Sequence, residues 1–183
     1  MSIEKYLIEH CASTLASLKT ANLFNIEYDS HLELLEHLTH WNTILNEKGV
    51  FVTALKITEK KALIYVYRKS RLLQELERKD IRKFLCLMGY TSFQLKDVLN
   101  TLRIHLSKED FPHEIGIFLG YPLEDVIGFI ENKGKNPKCS GCWKVYCNPQ
   151  EAEKMFCKIK KCTAVYTDLW KQGRSVCQLT VAR

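Results

Sequence analysis

Two runs rich in β-branched and aromatic residues, Val50–Ile57 and Ala62–Tyr67, stand on either side of the polar link Thr58-Glu59-Lys60-Lys61. That composition fits a pleated, half-buried surface, and the short polar link predicts a β-hairpin over about 50–67. Most of the remaining chain carries helical spacing. Strands scattered among helices, rather than alternating strictly with them, predict an α+β fold, with helices packed on a small mixed or antiparallel sheet.

The helical segments come with punctuation. Ser2 is the expected cap of a first helix whose apolar stripe is Leu7, Ile8, Cys11, Leu15 and Leu18. Ala21 to Tyr28 reads as extended. Asp29 or Ser30 caps a second helix with Leu34, Leu35, Leu38, Trp41 and Leu45 buried, and Gly49 ends it. Arg71 to Met88 reads as helical with a break near Lys79-Asp80, and Ser92 is the expected cap of a helix through His105. Pro112 and Pro122 suit helix first turns, with Gly120 between those two short helices. Trp143 to Cys147 reads as a strand, Pro149 opens a helix through about Lys171, and Val176 to Val181 reads as a last strand.

The length of 183 residues suits one domain over 1–183. The loop Asn132 to Ser140 is the one plausible boundary of a C-terminal subdomain, 135–183. Hydrophobic residues make up 46%, enough to fill a core. No apolar run is long enough to cross a membrane, and polar residues interrupt Met1 to Lys19, which therefore lacks the apolar centre of a signal peptide. The expectation is a cytoplasmic chain whose eight cysteines are reduced.

Six of those cysteines fall in the last 45 residues. The excess charge falls there too. Glu131 to Arg174 holds ten Lys/Arg against four Asp/Glu, and the rest of the chain has seventeen of each. A basic face of this kind attracts an acidic partner or is simply a solvated helix surface.

One long segment, Phe111-Pro112-His113-Glu114-Ile115-Gly116-Ile117-Phe118-Leu119-Gly120-Tyr121-Pro122-Leu123-Glu124-Asp125-Val126, joins with the earlier His10-Cys11-Ala12-Ser13-Thr14-Leu15-Ala16 and the later Trp143-Lys144-Val145-Tyr146. Together they resemble a bacterial family known as domain of unknown function 3793, over nearly the whole chain. The resemblance implies no activity. The family pattern often has proline where Ser13 stands and often lacks cysteine at Cys142, so a metal site built on Cys142 would be peculiar to this chain or absent.

Three candidate chemistries follow from the residues. Cys139-Ser140-Gly141-Cys142 has the spacing of a metal knuckle for zinc or iron, or of a redox dithiol with Lys138 and Lys144 nearby. A structural zinc site needs four ligands, and no second pair has suitable spacing. Cys157 and Cys162 sit about 140° apart on a helix. Cys162 is the next candidate ligand, reachable only through the tertiary fold. The leading expectation is thus a thiol-bearing module that binds metal or takes part in thiol redox chemistry.

The alternative is a cysteine-dependent hydrolase or transferase using Cys11 and His113, which needs the thiol and the base to meet in space. Cys11 lies on an apolar stripe, which argues for a plain core residue. The third reading is a non-catalytic module whose Lys154, Lys158 and Lys161, on one helix face, dock an acidic protein. No nucleic-acid-binding motif accompanies that stripe. His37 and His40 share a face as well, but each has a glutamate four residues before it, the pattern of a charge-paired surface.

Overall fold

A computed structural model describes residues 3–182 of the chain. The expected cap Ser2 lies outside the described residues. The expected hairpin is present. Strands β1 (Ala21–Glu27), β2 (Val50–Ile57) and β3 (Lys61–Arg68) form an antiparallel sheet in the order β1-β3-β2. Thr58 closes the turn, its Oγ1 donating to the Lys61 carbonyl at 3.0 Å. The register shifts between Ala54 and Lys56, a bulge that leaves Leu55 buried.

Alternation along β3 sorts two cores, one on each face of the sheet. Ala62, Ile64 and Val66 share one core with α1 (Ile3–Leu15), α2 (His31–Leu45) and α9 (Val176–Leu179), and α8 (Pro149–Lys171) adds Tyr166, Leu169 and Trp170. Tyr65 and Tyr67 share the other core with α3 (Lys69–Glu77), α4 (Lys79–Leu87), α5 (Leu95–Leu106), α6 (Ile115–Phe118) and α7 (Leu123–Glu131). The result is three layers, helices–sheet–helices. The hydroxyl of Tyr65 donates to the Phe118 carbonyl at 2.6 Å and fixes α6 on the sheet.

Local signals held where a specific cap or break exists. Ser30 caps α2 by accepting from the Glu33 amide, and the break near Lys79 falls at Arg78, which is extended. Gly49 sits at φ 77° after a 3-10 turn, Asn46–Lys48. Several readings need correction. Leu35 is 44% exposed, because the buried stripe runs Leu34, Leu38, Trp41, Leu45 and Leu35 lies beside it. Ser92 does not cap α5. Its hydroxyl bonds Asp97 at 2.7 Å and accepts from the Gln94 amide, so the helix starts three residues later. Pro112 lies in a turn before α6 rather than within it. The expected last strand is helix α9, because Ser175 and Gln178 form a reciprocal capping box. The expected strand at Trp143–Cys147 shrinks to β5 (Lys144–Val145), paired with β4 (Cys139–Ser140).

Candidate functional site

The β4–β5 hairpin carries Cys139, Cys142 and Trp143, and one carboxylate docks it. Asp125, 2% exposed, is the third residue of α7, where the helix N-terminus favours an anion. Its Oδ1 accepts from the amides of Tyr146 (2.7 Å) and Cys147 (2.9 Å), and its Oδ2 accepts from the Trp143 indole (2.8 Å). Burial alone would raise this carboxyl. The donors outweigh burial and hold it below the ordinary carboxylate range. Two glycines allow the close fit. A Cβ on Gly128 would sit 2.5 Å from that of Tyr146, and one on Gly141 would collide with the Phe156 ring of α8.

Docked in this way, the hairpin walls two cavities. Trp143 and Asp125 line both. The first, about 320 Å³, lies between the α1–β1 loop, α3, the hairpin and α8, and contains Lys19, Arg71, Glu75, Cys147 and Glu151. The second, about 380 Å³, is an aromatic slot. Leu23, Ile115, Leu119 and Val126 form its apolar walls together with the rings of Phe111, Tyr121, Phe129 and Trp143. Tyr121 stacks on Trp143 at 4.9 Å, and His113 meets Phe129 edge-on at 4.9 Å. The polar groups of the slot are few, chiefly His113, Lys144, Ser140 and the Asp125 carboxylate, whose oxygens are taken up by the hairpin donors. Lys144 lies over the Phe129 ring at 5.8 Å and donates to the Gly134 carbonyl at 2.7 Å.

Cys11 and His113 are not brought together. Cys11 is fully enclosed in the α1-face core, lines neither cavity, and burial pushes its thiol far up. His113 is exposed at the slot, and Glu114 turns away from it to a buried cluster, meeting His105 Nδ1 at 2.6 Å and the Tyr90 hydroxyl at 3.3 Å. The apolar stripe of α1 explains the outcome: a thiol placed on it packs into the core, where the charge of Lys19 only partly offsets burial.

Cys139 and Cys142 lie on the β4–β5 hairpin, while Cys162 belongs to another element. Cys162 lies on α8 and donates to the Ala12 carbonyl of α1 at 3.6 Å. Among the described residues no group of three or more His, Cys, Asp or Glu side chains is placed to hold a metal ion. Burial raises the thiols of Cys139, Cys142 and Cys162, with Lys19 partly offsetting the effect at Cys142. Cys147 is raised by burial and then by its hydrogen bond to Asp125. Lys154, Lys158 and Lys161 are exposed on α8, and Lys154 pairs with Glu151 at 2.8 Å. His37 pairs with Glu33 at 3.4 Å, as a charge-paired surface should.

Sequence reasoning missed Asp125 and Lys19. Asp125 stood inside the long family-like segment, but only the hairpin's distant backbone reveals its partners. For Lys19 the signal is a lone cation just past an apolar helix, which is common on surfaces.

A family model described as protein of unknown function, DUF3793, matches residues 7–180. No curated protein and no solved structure matches the chain. No described helix is long and apolar enough to cross a membrane.

Proposed function

The chain belongs to the DUF3793 family of unknown function, and we propose that it is a small-molecule-binding module whose aromatic slot takes a flat, largely apolar anion. The slot itself carries this reading. It is concave, about 380 Å³, within the usual size range of ligand sites, and its apolar lining is broken by few polar groups. Four aromatic rings favour a planar ligand through stacked and edge contacts. The Lys144 ammonium and the His113 imidazole favour a negative substituent on it.

Naphthalene-2-sulfonate is a suitable probe. Saturable binding with a rise in Tm is expected, because a ligand of the folded state stabilises it. Phe129→Ala should weaken binding by about tenfold or more, since it removes one ring wall. Lys144→Met should weaken the sulfonate and leave neutral naphthalene unaffected. Binding that ignores both substitutions would sink the reading.

A second reading keeps the thiols, and one observation favours it: Cys142 is exposed on the hairpin, and the charge of Lys19 acts on its thiol. Cys139 and Cys142 are then the reactive pair or the first ligands of zinc or iron. Lys19→Met should slow alkylation of Cys142 several-fold, because the thiolate is the reactive form and the nearby cation favours it. Cys11 should resist alkylation in the native chain. If Cys139→Ser with Cys142→Ser leaves metal content and thiol reactivity unchanged, this reading fails.

A further inference from the structure

Lys19 is 9% exposed and lines the first cavity. Its ammonium has neither an ion pair nor a hydrogen bond among the described residues. It lies over the Tyr121 ring, 4.8 Å from the centroid, and its charge also acts on the thiols of Cys142 and Cys11. A charge enclosed without a counter-ion is costly, and burial lowers this amine to about 8. The loop that presents it is fixed. The amides of Leu18 and Lys19 both donate to the Ser13 carbonyl (2.8 and 3.1 Å), the Thr20 carbonyl accepts from the Arg68 amide (2.9 Å), and Ser17 holds the left-handed conformation at φ 59°.

The other charged groups of this cavity already have partners. Glu75 pairs with Arg78 at 3.2 Å and Glu151 with Lys154 at 2.8 Å, while Asp125 is taken up by the hairpin. Arg71 adds a second cation to the wall. Three carboxylates on that wall oppose a doubly charged ligand, whereas a single negative charge can rest on Lys19. Leu18, Ala152, Met155 and Ile159 supply an apolar surface beside it.

We propose that this cavity binds a small monocarboxylic acid with an apolar body, its carboxylate on the Lys19 ammonium and its hydrocarbon along Leu18, Ala152, Met155 and Ile159. The site shares Asp125 and Trp143 with the aromatic slot but takes its charge from Lys19, which does not line the slot.

Hexanoate is the probe, with hexan-1-ol as the neutral control and inorganic phosphate as the compact anion that lacks an apolar body. Hexanoate should raise Tm saturably, and neither control should match it. Affinity should fall about tenfold between about pH 6.5 and about pH 9, as an amine titrating near 8 loses its proton. Lys19→Met should abolish the response, and Phe129→Ala should leave it intact. Equal binding of hexan-1-ol or phosphate, a flat pH profile, or loss of binding in Phe129→Ala with retention in Lys19→Met would each overturn the proposal. Should Lys19→Met fail to fold, the pH profile and the two controls decide the matter on the unaltered chain.

Discussion

Asp125→Ala is expected to release the cysteine hairpin from α7 and to cost about 3–5 kcal/mol. The side chain is buried and accepts three hydrogen bonds, two from backbone amides and one from an indole. Bonds to a charged group contribute about 1.5–3 kcal/mol each, and a donor left buried without a partner adds its own penalty. The three are coupled and do not add fully. Relief comes from water reaching the donors, which requires the hairpin to lift. Hydrogen exchange should therefore show the Tyr146 and Cys147 amides losing protection before the sheet does. Asp125→Asn should be intermediate, since it keeps one acceptor and turns an amide toward a donor. A loss below about 1 kcal/mol with both amides still protected would contradict this account.

The same carboxylate sets an acid limit. Its folded-state value lies below the ordinary range, so its stabilisation is present above the unfolded carboxyl range near 4. It disappears as pH falls through the lower folded value. Hairpin release in acid should thus be steeper in the parent chain than in Asp125→Asn. Because Asp125 and Trp143 line both cavities, losing the hairpin removes both proposed binding sites together.

The parts of this structure that were legible in the sequence rest on local physics. Hairpin β2–β3 follows from strand-forming residues on each side of a short polar link, and the Ser30 cap and the Arg78 break lie within one turn of their signals. The Ser175–Gln178 capping box was equally local, but the β-branched residues of Val176 to Val181 masked it. The sites were much less legible. Cysteine spacing drew attention to Cys139 and Cys142, and the hairpin they occupy does wall both cavities. The groups that shape those cavities are set by contacts between residues far apart in sequence: Lys19 with Tyr121, Asp125 with Tyr146, Gly141 with Phe156. Spacing along one chain carries no record of such meetings.

Arg68 shows how far a distant contact can matter, and its replacement is the other large effect expected. It is 1% exposed at the end of β3. Nε donates to the Thr14 carbonyl (2.7 Å), one terminal nitrogen to Leu15 (2.6 Å) and Val181 (2.8 Å), and the other to Lys48 (3.3 Å). Thr14 and Leu15 end α1, where helix carbonyls lack partners and a cation is favoured. One planar guanidinium thereby ties together α1, the 3-10 turn after α2, and the C-terminal tail. Arg68→Met keeps the apolar stem and strands those carbonyls, at a cost of about 3–5 kcal/mol. That is a large share of the roughly 5–15 kcal/mol a domain of this size holds. Arg68→Lys should recover little of it, because an ammonium on a flexible stem cannot reproduce the fork that reaches four carbonyls at once. Urea unfolding of the three chains tests this. The two variants should unfold at much lower midpoints and lie close together, and a lysine variant near the parent would show that charge alone, rather than the geometry of the fork, holds these elements.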